Sequence, residues 1–149
     1  MTFETETTLK RPLPAPVSPD ETGAKSRPRV LVVDDEPLIL WSVRSGLSDR
    51  FDVEIASSPE AALDLLRARP FDALLTDLLM DGMDGFDMAE EARRIRPGIR
   101  MFMMSAYGSR GSFRSAEQCG FRECIEKPFP IRKVREMLLR HLDPHGNQE

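Results

Sequence analysis

The sequence predicts an α/β fold, a five-stranded parallel sheet with helices on both faces. Two observations carry that prediction. Short apolar, β-prone runs alternate with segments of helical period five times along the chain, as a sheet assembled from strand–helix units requires. The first of those runs, Val30-Leu31-Val32-Val33, is apolar without alternation, which marks a strand covered on both faces rather than one with a wet side.

Each element has its own local justification. Pro37 suits the first turn of a helix, because the N–H it lacks is one that a helix start leaves unpaired anyway, and Leu40, Val43 and Leu47 then share a face. Val53-Glu54-Ile55 is a short second strand. Ser58-Pro59-Glu60 combines a capping hydroxyl with proline at the first helical position and opens a helix that turns Ala62, Leu65 and Leu66 inward. Phe71 to Thr76 reads as the third strand. Gly82 and Gly85 mark a loop, and the next helix carries Met88, Ala89, Ala92 and Ile95 until Pro97-Gly98 stops it. Met101 to Met104 is a fourth strand whose methionines Met101, Met103 and Met104 fill core space. Gly108 to Cys119 is a weak helix former, closed by Gly120 as a left-handed cap. Arg122 to Ile125 is the fifth strand, and Ile131, Val134 and Leu138 give the last helix its apolar stripe.

The chain has 149 residues, 40% hydrophobic and 31% charged, which suits one domain with an extension and leaves no room for two full domains. Five of the 12 prolines fall in the first 28 residues, where acids and bases also cancel, so residues 1–28 are expected to be a flexible tail rather than a basic nucleic-acid arm. The domain is expected over 29–142, with a frayed end over 143–149 and no further domain to read DNA. A net charge of -4 gives no overall pull toward nucleic acid or an anionic membrane. No apolar run approaches the roughly 18–20 residues that span a bilayer, and the first residues lack a secretory signal's pattern. Cys119 and Cys124 are too few and too close for a disulfide framework and read as buried thiols. A cytoplasmic protein is the expectation.

In a parallel α/β sheet the strands' C-terminal ends open on one edge, where sites form. Strand 1 ends in Asp34-Asp35, strand 3 in Asp77 and strand 4 in Ser105, and Lys127 closely follows strand 5. Singly, each has an ordinary explanation: Asp34 alone reads as a helix cap, Ser105 as a turn former and Lys127 as a solvated surface residue. Together they do not. Three carboxylates converging on one point repel one another unless a cation sits among them, and hard oxygen ligands with room for water suit Mg²⁺. Lys127 offers a point charge to an anion and Ser105 a hydroxyl, a set of parts that fits phosphoryl transfer to an aspartate.

The stretches VLVVDDEP, LLTDLLMDGMDG, MMSAYG and EKPF give residues 29 to about 142 a strong resemblance to the response-regulator receiver domains of two-component signalling. The resemblance implies the flavodoxin-like receiver fold with strand order 2-1-3-4-5. It also implies phosphotransfer from a histidine kinase or phosphotransfer protein to Asp77, and signalling to a downstream protein target. Asp34 and Asp35 would bind Mg²⁺ together with Asp77, Asp35 being favoured as the direct ligand, and the backbone carbonyl of Leu79 would complete the set. Two positions depart from the family's pattern. Asp81 stands where a proline is common, and Cys124 where Tyr or Phe commonly acts as a rotamer switch.

Other classes fit less well. A P-loop needs a phosphate-cradling GxxxxGK[ST], and Gly23-Ala24-Lys25-Ser26 has the wrong spacing. A haloacid-type phosphatase would want an acid where Leu79 stands, and DGMDG is too short for an EF-hand loop. A receiver-like interaction module that is never phosphorylated is the alternative, although none of the acidic pair, acceptor or lysine positions is lost. Arg110, Arg114, Arg132, Lys133 and Arg135 form a basic group on the last two helices. His141 and His145 have no evident partner, and Trp41 reads equally as a packed edge residue or an exposed contact.

Overall fold

The computed structural model describes residues 27–106 and 110–142, with ten elements in strict alternation. They are β1 (Arg29–Val33), α1 (Pro37–Leu47), β2 (Asp52–Ala56), α2 (Pro59–Ala68), β3 (Ala73–Asp77), α3 (Gly85–Ile95), β4 (Arg100–Ser105), α4 (Arg110–Gln118), β5 (Phe121–Glu126) and α5 (Ile131–Leu142). The expected tail before Arg27, the helix start at Gly108, the segment 143–149 and His145 lie outside the described residues, as do the side chains of residues 110–112.

All strands pair in parallel, in the order β2-β1-β3-β4-β5. The chain runs outward from β1 to β2 and then crosses back to β3, so the strand order reverses between β1 and β3 and a crevice opens at their C-terminal ends. Register completes the arrangement. Val33 pairs with Thr76, and Asp77 pairs with Met104, so Asp34, Asp77 and Ser105 come out side by side.

Alternation along each strand sends successive side chains to opposite faces. Leu31, Val33, Leu74, Met101 and Met103 pack against α2, α3 and Ala116 of α4. Val30, Val32, Leu75, Phe102 and Met104 pack against α1 and α5. The central strands are therefore apolar on both sides, and each fully buried large side chain contributes roughly 1.5–3 kcal/mol relative to exposure. Among the described residues, no helix is long and apolar enough to cross a membrane.

The local signals hold, with shifts at the margins. Ala61 N–H donates to Ser58 Oγ at 3.1 Å with Pro59 behind it, and Gly120 has φ +99°. The buried arc of α2 runs through Ala62, Leu63 and Leu66, which leaves Leu65 half-buried at its rim rather than fully inward. In α5 the buried stripe is Val134, Met137, Leu138 and Leu142, with Ile131 half-buried at its start. A Cβ at Gly46 would overlap the Ile131 side chain, so glycine there lets α1 and α5 approach closely. The third strand begins at Ala73, and just before it the Asp72 carboxylate accepts the Arg29 N–H while the Asp72 N–H donates to Arg29 O.

Candidate functional site at the C-terminal edge of the sheet

Asp34 continues directly from buried β1 and is itself fully buried. Its Oδ1 accepts the Glu36 N–H at 2.9 Å and its Oδ2 accepts Lys127 Nζ at 2.8 Å. It is not the helix cap that it resembles in isolation. The cap position of α1 belongs to Glu36, whose side chain makes no capping bond. Asp35 is exposed at the mouth of the crevice.

Asp77 ends β3 and is 7% exposed. Its Oδ1 accepts the Leu78 N–H at 3.0 Å and lies 3.3 Å from Lys127 Nζ. The backbone there is tightly framed. Leu78 N–H donates to Met104 O, Gly85 N–H donates to Leu78 O at 2.7 Å, and a Cβ at Gly85 would lie 2.7 Å from Asp77 O. Only glycine lets α3 start this close to the end of β3.

Lys127 reaches the same point from the loop after β5. Its N–H donates to Ser105 O at 2.8 Å, and it precedes a cis peptide to Pro128. Its ammonium also donates to Glu36 Oε1 at 3.2 Å. Ser105, 1% exposed, ends β4 beside this group. Burial would lower the Lys127 pKa, but the hydrogen bond and charge of Asp34, then Asp77 and Glu36, hold it above the usual lysine range. Burial first, and then the charge of Asp34, push Asp77 above the usual carboxylate range, and Lys127 offsets this only in part.

These groups open onto a cleft of about 250 Å³ lined by Asp35, Asp77, Leu79, Ser105, Ala106 and Lys127 among others. One oxygen each from Asp34, Asp35 and Asp77 can be chosen so that all lie within 4.8 Å of one another. Three hard anionic oxygens facing a single lysine leave negative charge uncompensated, a donor set that fits a small divalent cation and leaves room for its water. The five side chains expected at this edge do come together. Glu36 is not among the residues the sequence assigns to the site, and Gly85 reads there only as a loop marker. The signal for Glu36 was present as the third acid of Asp34-Asp35-Glu36, whereas nothing local marks Gly85 as facing the Asp77 carbonyl.

Several expectations away from the site change. His141 has a partner after all: it meets Glu123 at 2.8 Å, and its ring packs edge-on to Phe102 at 5.2 Å. A separation of 18 residues hid that pair. Arg135 leaves the proposed basic group, because it grips both oxygens of Asp49 at 2.6 Å. Cys119 and Cys124 are free thiols, half-buried rather than buried. Burial, then Glu117 and Glu123, push Cys124 up to about 11. Trp41 is 67% exposed.

The family model for the response regulator receiver domain matches residues 30–139. Sporulation initiation phosphotransferase F of Bacillus subtilis is 27% identical over 124 residues, covering 80% of this chain and 97% of its own length. Response regulator protein PilR of Pseudomonas aeruginosa is 31% identical over 128 residues, covering 83% of this chain, which spans only 28% of PilR. Among solved structures, a CheY-like response regulator receiver domain protein from Methanospirillum hungatei JF-1 aligns with a TM-score of 0.74 at 30% identity, over 79% of this chain and 95% of that one. Sheet order, acidic cleft and sequence match agree: the chain belongs to the response regulator receiver domain family.

Proposed function

We propose that this receiver is a phosphoacceptor, and that Asp77 takes a phosphoryl group from the phosphohistidine of a histidine kinase or phosphotransfer protein. The observation that carries the reading is the meeting of Asp77 Oδ1 and Lys127 Nζ at 3.3 Å, in a cleft where Asp34 and Asp35 supply two further carboxylates. An oxygen of Asp77 attacks phosphorus as the bond from phosphorus to imidazole nitrogen breaks. The imidazole keeps the bonding pair and takes a proton from solvent, leaving a mixed anhydride on Asp77.

Asp34, Asp35, Asp77 and the carbonyl of Leu79 are the residues to hold Mg²⁺, with Asp35 the direct ligand of the acidic pair. When bound, the ion offsets the charge that three carboxylates and an incoming phosphoryl group would otherwise set against one another. Lys127 supplies a fixed positive charge to a phosphoryl oxygen, and the Ser105 hydroxyl donates to another. In this reading residues 29–142 act as one receiver unit in the cytoplasm, through contacts with a downstream protein rather than with nucleic acid or membrane.

Incubation with acetyl phosphate and Mg²⁺, followed by intact mass, is the test. Addition of one phosphoryl group to the wild type, and none to Asp77→Asn, is the expected result. Full labelling of Asp77→Asn would remove the assignment. No labelling of the wild type by acetyl phosphate or a phospho-kinase would favour the unphosphorylated interaction module.

A further inference from the structure

Lys127 faces three carboxylates with unequal holds on it. Asp34 is fully buried, binds Lys127 Nζ at 2.8 Å, and is fixed from its other oxygen by the Glu36 N–H. Asp77 is the acceptor of the reading above. Glu36 differs from both. Its side chain is 63% exposed and makes no capping bond to the helix it precedes, and its carboxylate instead accepts from Lys127 at 3.2 Å. A closed ring results, running from the Glu36 N–H to Asp34, from Asp34 to Lys127, and from Lys127 back to the Glu36 carboxylate.

We propose that Glu36 is a positioning residue that competes with the phosphoryl group for Lys127. The inference rests on Asp77 being the phosphoacceptor. An ammonium has three N–H donors and no more. A phosphoryl group on Asp77 brings anionic oxygens that call on Lys127, while the Asp77 oxygen bonded to phosphorus becomes a poorer acceptor. Asp34 keeps its bond, because leaving a buried carboxylate unpaired is costly. Glu36, being exposed, is the partner that can be given up at least cost. Until then it occupies one donor and adds negative charge beside the arriving anion. Both effects disfavour the phosphorylated state, and an exposed pair of this kind shifts the balance by only about two- to fivefold. Glu36 therefore tunes the site without being needed for the chemistry.

Beryllofluoride, which mimics a phosphoryl group without covalent chemistry, is the probe. It is titrated into the full chain and into Glu36→Gln at saturating Mg²⁺, in low and in high salt. Glu36→Gln keeps the side chain's size and removes its charge. The expected result is binding about two- to fivefold tighter than wild type in low salt, with the gap narrowing as salt screens the exposed charge. Equal or weaker binding by Glu36→Gln, or a gap that salt leaves unchanged, overturns the role of Glu36. Absence of binding by both proteins would sink the phosphoacceptor reading and this proposal with it, a result distinct from equal binding by both.

Discussion

Two clefts of similar size differ in charge balance, one with acids in excess and the other with acids and bases matched. The cleft at the ends of β1 and β3, about 250 Å³, brings Asp34, Asp35, Glu36 and Asp77 around Lys127. The cleft between β5 and α5, about 230 Å³, is bordered by Glu123, which Arg140 and His141 both hold. The pKa directions follow the proportions. Asp77 is pushed up by burial and by Asp34 beyond what Lys127 restores. Burial also works against ionised Glu123, but its hydrogen bonds to Arg140 and His141 more than offset it and hold Glu123 below the usual range. Volume does not distinguish a site from a structural cluster here. Uncompensated charge does, because a fold keeps like charges together at a cost in stability, and a ligand of opposite charge can offset that cost.

The sharpest way to break this comparison is to remove ligands from each cleft and titrate Mg²⁺, following binding by NMR shifts. Asp35→Ala is expected to weaken Mg²⁺ by more than about tenfold and by more than Asp34→Ala, since a hard cation depends on its direct carboxylates. Glu123→Gln is expected to bind Mg²⁺ as the wild type does. Equal affinity in the two aspartate variants would remove the distinction within the acidic pair.

A thiol probes the second cleft. With its pKa near 11, Cys124 holds almost no thiolate at neutral pH, so iodoacetamide is expected to modify it more than about tenfold more slowly than a free cysteine. Mass mapping of alkylated peptides separates it from Cys119. A rate equal to that of free cysteine would mean that the half-buried strand edge opens far more than its packing implies.

Stability tests the charge imbalance directly. In metal-free buffer at neutral pH, Asp77→Asn is expected to raise the unfolding free energy by on the order of 1 kcal/mol, because it removes a carboxylate disfavoured first by burial and then by the charge of Asp34. Urea denaturation checks this, and a loss of stability would show that the contact with Lys127 outweighs the repulsion. The opposite sign is expected across the sheet. Glu123→Gln should cost a few tenths to about 1 kcal/mol at pH 7, the pair being partly exposed. Because the folded-state pKa of Glu123 is lowered, its contribution is present above the unfolded pKa and is lost as pH falls through the folded one. Variant and wild type should therefore converge in acid, and a difference that persists there would rule out the ion pair as its source.

Local chemistry made much of the fold legible. The apolar run at Val30–Val33, the Ser58-Pro59 helix start and the Gly120 cap each act over a few residues, and each occurs where expected. Element ends were less legible. Where a strand starts is set by pairing with its neighbour, as at β3, which begins at Ala73 opposite Val30. The inward face of α2 is fixed by how the helix is rolled onto the sheet, which is why Leu63 replaces Leu65 in the buried arc.

The sequence by itself determined the alternation of strands and helices, and with it the edge to which Asp34, Asp35, Asp77, Ser105 and Lys127 belong, because parallel strands joined by helices must all end on the same side. Only the tertiary structure decided which charges are compensated. The Lys127–Glu36 contact spans 91 residues, Arg135–Asp49 spans 86 and His141–Glu123 spans 18, and no local pattern fixes pairs at such separations. Those pairings depend on the register of β1 with β3 and of β4 with β5, and on the close approach of α1 to α5 at Gly46. The charge on each residue is written in the chain, but its energy depends on which neighbours the packed sheet brings within about 4 Å and how much water it excludes.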